Sequence, residues 1–200
     1  TQYFVVSFPG SLTCVAPASA TSCVVDGLSN GTSYAFRVGA SNVAGNSVLS
    51  GPSAPVTPAT IPSPPTGVSV LPGDGEAAVS WNPPTDDGGS AITGYEVTST
   101  PEGRTCTTIG ATSCTVTGLT NGTEYTFTVT ATNAEGNGAA SVASNAVTPA
   151  TVPDVPTGVT ATVGNAEATV SWTAPVDDGG STITGYEVTS TPEGRTCTTI

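Results

Sequence analysis

Apolar and polar positions alternate with a period of two along much of the chain. Between residues 62 and 149 the apolar set runs Val68 and Val70, then Ala77, Val79 and Trp81, then Tyr95 and Val97, then Tyr125, Phe127, Val129 and Ala131. Successive side chains of a strand point to opposite faces, so this spacing predicts strands with one buried face. Turn-forming clusters separate the runs at intervals of about 8 to 12 residues: Pro72-Gly73-Asp74-Gly75, Asp86-Asp87-Gly88-Gly89, Pro101-Glu102-Gly103, Asn121-Gly122 and Gly136-Asn137-Gly138. About seven strands result, as in an antiparallel β-sandwich. Composition sharpens this all-β reading, because 24 valines stand against five leucines and 37 threonines accompany them. β-Branched side chains suit pleated, half-buried surfaces better than helices.

The pattern recurs. Residues 81–109 match residues 172–200 at 25 of 29 positions, so that Trp81 returns as Trp172, Tyr95 as Tyr186 and Cys106 as Cys197. Tyr3 and Cys14 align with Tyr95 and Cys106, and Cys23 with Cys114. On this register residues 1–58 are expected to be the C-terminal half of a repeat, 62–149 a complete repeat and 153–200 an N-terminal half. A unit near 90 residues exceeds the solenoid range of about 20 to 50 and is long enough to bury its own core. The joints read Val56-Thr57-Pro58-Ala59-Thr60-Ile61-Pro62 and Val147-Thr148-Pro149-Ala150-Thr151-Val152-Pro153. Proline restricts its own φ and the conformation of its predecessor, so stiff, extended linkers and a semi-rigid array are expected.

Three motifs stand in order in the complete repeat: Trp81-x-Pro83-Pro84 before Asp86-Asp87-Gly88-Gly89-Ser90, then Ile92-Thr93-Gly94-Tyr95-x-Val97, then Leu119-x-Asn121-Gly122-Thr123-x-Tyr125-x-Phe127-x-Val129-x-Ala131-x-Asn133. Together they resemble a fibronectin type III domain, of the kind found in secreted or cell-surface bacterial proteins. Leu28 to Asn42 and Trp172 to Val188 carry the same likeness in the flanking copies. The resemblance implies tandem seven-stranded Greek-key sandwiches of the immunoglobulin-like class. It implies further that Trp81 and Trp172 fill the space between sheets, that Tyr34 and Tyr125 are tyrosine-corner residues, and that Tyr95 and Leu119 belong to the core.

Candidate chemistry is sparse. The chain has no histidine and only three basic residues, which excludes a histidine-based triad within it. Its net charge of −12 opposes nucleic acid and anionic membrane surfaces, and no apolar run approaches the ~20 residues of a spanning helix. Cys14 with Cys23 and Cys106 with Cys114 are expected to form local disulfides, leaving Cys197 without a partner in this chain. Two cysteines per repeat, no histidine and no Cys-x-x-Cys argue against zinc, and paired thiols imply an oxidising, extracellular setting. The pairs Asp86-Asp87 and Asp177-Asp178 carry oxygen ligands suited to Ca²⁺, yet they lack calcium-loop spacing and read as Gly-rich turns. Asn30-Gly31-Thr32 and Asn121-Gly122-Thr123 fit both the glycosylation sequon and a tight turn. Arg104 and Arg195 are expected to pair with Glu102 and Glu193. The Arg-Gly-Asp motif that integrin-binding members of the resembled family carry before their last strand is absent from 133–138.

These observations predict a non-catalytic, cofactor-free extracellular array that acts as a semi-rigid spacer or as a module contacting a protein or polysaccharide surface. The alternative is a set of accessory linker modules in a secreted polysaccharide-degrading enzyme whose catalytic domain lies outside these residues. Direct carbohydrate binding needs exposed aromatics, for which Tyr3, Phe4 and Phe8 are the candidates. The two half-repeats would expose strand edges, which predicts self-association through them.

Overall fold

The computed structural model describes residues 1–199, and all its regular elements are strands. Residues 1–58 hold β1 (Gln2–Phe8), β2 (Thr13–Pro17), β3 (Ala35–Asn42) and β4 (Gly45–Asn46). They form one antiparallel sheet in the order β2-β1-β3-β4, with Val5 opposite both Cys14 and Val38. Residues 62–149 hold β5 (Thr66–Pro72), β6 (Glu76–Asn82), β7 (Gly94–Thr100), β8 (Thr105–Thr108), β9 (Ser113–Thr117), β10 (Thr126–Asn133) and β11 (Gly136–Asn137). Their sheets are β5-β6-β9 and β11-β10-β7-β8. β12 (Thr157–Val163) pairs with β13 (Ala168–Thr173), and β14 (Tyr186–Thr189) with β15 (Thr196–Thr199). No helix among the described residues is long and apolar enough to cross a membrane.

By contacts the described chain falls into two compact units. The first comprises Thr1–Thr66, Pro83–Tyr95 and Thr130–Ala140. The second comprises Gly67–Asn82, Glu96–Val129 and Ser141–Ile200. The second holds most of the core, and its strands follow the predicted period. On β6 Ala77, Val79 and Trp81 are buried while their neighbours are exposed, and on β10 Phe127 and Val129 lie fully inside. Val97, Val116, Leu119 and Tyr125 complete this apolar interior, with no residue more than 6% exposed. In the first unit Tyr95 and Tyr34 are buried at 6% and 5%.

Trp172 departs from its expected place. It is only half-buried, and it packs obliquely on Tyr186 with ring centroids 5.1 Å apart. The strand inventory differs: β9, which extends the sheet of Trp81, and β10, in the second sheet of that repeat, have no counterpart between 153 and 199. The same logic explains β1 and β3, where Tyr3 and Val38 are 38% and 41% exposed although Tyr95 and Val129, at the matching positions, are buried. Residues 1–58 contain no equivalent of β5 and β6.

Cys106 on β8 is bonded to Cys114 on β9, and Cys14 on β2 to Cys23, while Cys197 is free and exposed. The first of these bonds ties an edge strand of one sheet to an edge strand of the other. Closing so short a loop removes about 2 to 3 kcal/mol of chain entropy from the unfolded state. Urea unfolding with and without a reducing agent, followed at the Val116 amide, should show a loss of that size on reduction.

Candidate functional site

The two motifs that the sequence left with alternative readings, Asp-Asp-Gly-Gly and Asn-Gly-Thr, meet at the linkers. Each meeting begins with a tyrosine. The Tyr34 hydroxyl accepts a hydrogen bond from the Ser29 N–H at 3.0 Å, and the Tyr125 hydroxyl one from the Thr120 N–H at 2.9 Å. The Ser29 N–H favours the phenolate and holds the Tyr34 phenol below its ordinary value, whereas burial pushes that of Tyr95 up. Backbone bridges Tyr34 to Val56 and Tyr125 to Val147 fix the entry to each linker. The corner loop between each hydroxyl and its tyrosine is thereby pinned at both ends, and Asn30-Gly31 and Asn121-Gly122 project from it.

In the first unit the Gly31 N–H donates to the Pro58 carbonyl at 2.9 Å, the Thr60 N–H to the Gly88 carbonyl at 2.9 Å, and the Ser63 N–H to the Asp86 carbonyl at 2.9 Å. In the second unit the same three bonds recur as Gly122 to Pro149 at 2.9 Å, Thr151 to Gly179 at 2.8 Å and Asp154 to Asp177 at 3.0 Å. The Asp-Asp-Gly-Gly loop lies directly against the Asn-Gly corner. A Cβ at Gly31 would come within 3.1 Å of the Gly89 Cα, and one at Gly122 within 3.2 Å of the Gly180 Cα. A Cβ at Gly89 or Gly180 would run into the amide of the opposing glycine, and one at Gly88 or Gly179 into the linker carbonyl of Thr60 or Thr151. All six glycines have φ between +73° and +81°, a conformation that a side chain disfavours.

The aspartates shape the loop. Asp86 and Asp87 each accept the N–H of the residue two positions on through Oδ1, at 2.8 Å, as do Asp177 and Asp178 at 2.8 and 2.9 Å. These are Asx turns. Among the described residues no group of three or more His, Cys, Asp or Glu is placed to hold a metal ion.

Asn133, the last position of the third sequence motif, binds the first joint together. It is 4% exposed, and its Nδ2 donates to the Thr60 carbonyl at 2.7 Å and the Asp87 carbonyl at 2.8 Å while its Oδ1 accepts the Glu135 N–H. The signal was present: it extends the inward series Tyr125, Phe127, Val129, Ala131 by one more step, with an amide where an apolar residue is expected. Asn121 is committed as well, its Nδ2 donating to Asp74 and its Oδ1 accepting the Gly75 N–H, both at 2.8 Å. Its sequon therefore serves as a structural corner in this fold, while Asn30 is exposed.

The other candidates lie apart from the joints. Arg104 pairs with Glu102 at 3.5 Å and Arg195 with Glu193 at 2.8 Å, both solvated pairs of small energetic weight. The Phe4 ring covers Gly39, where a Cβ would strike it, so Phe4 is spent on packing within its own sheet. Phe8 is 75% exposed beside Val6, Arg37 and Leu49 in a shallow groove. Phe8 and Tyr3 sit on opposite faces of β1, which leaves no row of coplanar rings there.

The family described as "Fibronectin type III domain" matches residues 63–147 and 154–200. Exoglucanase B of Cellulomonas fimi is 36% identical over 196 residues, covering 88% of this chain and 17% of that protein. Chitinase A1 of Niallia circulans is 39% identical over 137 residues, covering 64% of this chain and 18% of that protein. Among solved structures, "Titin kinase and its flanking domains" aligns with 34% identity and a TM-score of 0.40, over 46% of this chain and 18% of that one. The chain thus spans less than a fifth of the length of these curated relatives.

Proposed function

Because the chain belongs to the fibronectin type III family, with repeats of the bacterial type, we propose that it is a non-catalytic, semi-rigid spacer in a larger extracellular protein. Its repeats are 1–58, 62–149 and 153–200, of which 62–149 is whole. One observation carries the reading: the two joints are built alike, with the same three hydrogen bonds and the same opposed glycines. A spacer needs its repeats set at a reproducible angle more than it needs any one loop, and a joint specified by short backbone contacts supplies that. The cysteine pairs suit a chain exposed to an oxidising exterior.

A second reading shares this geometry. The relatives are by name an exoglucanase and a chitinase, and the spacer then separates a catalytic domain from another domain of a secreted polysaccharide-degrading enzyme. The catalysis lies in neither the joints nor the cores.

Residual dipolar couplings of the 200-residue chain in a dilute aligned medium test the proposal. Amides of 2–58 and of 62–149 should fit one alignment tensor of the same magnitude and rhombicity. Independent tensors would overturn it, as would capture of the chain by insoluble cellulose or chitin, which would make it a binding module instead.

A further inference from the structure

The segment after each β4-type turn pairs with its neighbour in steps of three. Along β3 the outward carbonyls of Ala40, Val38 and Phe36 accept the N–H groups of Ser47, Ser50 and Ser53 at 2.8, 2.9 and 2.9 Å. A regular antiparallel partner would advance two residues per rung; this one advances three. The extra residue leaves each returning N–H of β3 without its usual backbone acceptor, and the same serine supplies one. The N–H groups of Phe36, Val38 and Ala40 donate to Oγ of Ser53, Ser50 and Ser47, each at 3.0 Å. Every one of these hydroxyls then donates onward to the carbonyl of the next residue. The device recurs on β10, where Val129 donates to Ser141 Oγ at 2.9 Å and Phe127 to Ser144 Oγ at 3.0 Å, with both serine N–H groups bonded back at 2.9 Å.

Two regular rungs span about 7 Å per pair of residues, so three residues in the same rise are contracted, as at a β-bulge. A bulge at every rung turns the segment's outer N–H and C=O groups out of the plane that an incoming strand would need. We infer that this serine rail closes the edge of the β1–β3 and β7–β10 sheets to strand addition by a second copy of the chain, while keeping the inner hydrogen bonds of β3 and β10 satisfied. The need is chemical: near-identical repeats held in tandem are each other's best strand partners, and an open β10 edge would offer them a matching register. The inference stands independently of the spacer reading.

The test uses the full chain and a fluorescent peptide with the sequence of residues 126–133 as the incoming strand. Ser141→Ala with Ser144→Ala should raise hydrogen exchange at the Phe127 and Val129 amides at least tenfold. It should also give saturable peptide binding, with the peptide on β10 by amide shift changes, where the natural chain gives none; Ser141→Thr with Ser144→Thr, which retain hydroxyls, should restore the block. Should the double alanine variant fail to fold, Ser144→Ala alone, at a half-buried rung, carries the same readouts. A folded alanine variant that takes up no more peptide than the natural chain overturns the inference, as does a natural chain that already binds it along β10.

Discussion

Phe127→Ala should lower the stability of the complete repeat by about 3 to 5 kcal/mol, the range for deleting a fully enclosed phenylalanine. Its side chain is 0% exposed and shares one strand face with Tyr125 and Val129. Nothing in a two-sheet interior can move in to fill the space, because the residues around it are held by ladders on both sides. A domain of this size has only about 5 to 15 kcal/mol in total, so the variant will sit near the edge of folding. Phe36→Ala is the internal control. Phe36 occupies the same register position on β3 but is half-buried, since residues 1–58 provide no strands to cover that face. Its loss should cost no more than about half as much, because less apolar area leaves water there in the first place. Urea unfolding followed at the Val97 and Val116 amides for Phe127, and at Val5 and Val38 for Phe36, separates the two effects; equal costs would mean that the second sheet contributes little to the core.

How much of this was legible beforehand depends on the kind of signal. β6 and β10 were readable because each carries three apolar residues at every second position, and β7 because Tyr95 and Val97 repeat that spacing, which a strand with one buried face demands. Tyr34 and Tyr125 were readable as corner residues only through the family's pattern, since periodicity alone assigns them simply to an inward face. The burial of Trp81 followed from alternation, and that of Trp172 did not follow from identity with it. Identical residues reach different burial when the strands that would cover them are missing. The serine rail was invisible for a physical reason: its period is three, its rungs are made by Oγ atoms, and serine in a Gly- and Pro-rich stretch reads as loop. The repeated spacing Ser47, Ser50, Ser53 and Ser141, Ser144 was the available clue.

The joints show the limit of local reading most clearly. Asp-Asp-Gly-Gly was interpretable as a turn or as a cation site, and Asn-Gly-Thr as a turn or a sequon, because each motif was weighed against its own neighbours. Their partners are some 58 residues away, Gly31 against Gly89 and Gly122 against Gly180, and no period within one repeat reports that pairing. What does report it is the recurrence of both motifs at the same offset from the proline-bracketed linkers.

Gly89→Ala and Gly180→Ala should therefore unlock the array without unfolding its repeats. Each substitution meets two costs. A side chain at φ near +80° costs roughly 1 to 2 kcal/mol, and the new Cβ also overlaps the backbone of the opposing corner, which no rotamer change relieves. Against this stand the three backbone hydrogen bonds of a joint, each contributing about 0.5 to 1.5 kcal/mol. The core of the complete repeat, at about 5 to 15 kcal/mol, outweighs the joint, so the joint is where the overlap will be released. The alignment tensors of 2–58 and 62–149 should diverge in the Gly89 variant, and small-angle scattering should report a broader distance distribution for both, with unfolding midpoints changed by only a few degrees. Gly103→Ala isolates the first cost, because Gly103 has φ of +61° and open space around its Cβ position. It should lose about 1 kcal/mol of stability and keep the joint closed. Were Gly103→Ala to loosen the array as much as Gly89→Ala, the close approach of the two glycines would not be what sets the angle between repeats.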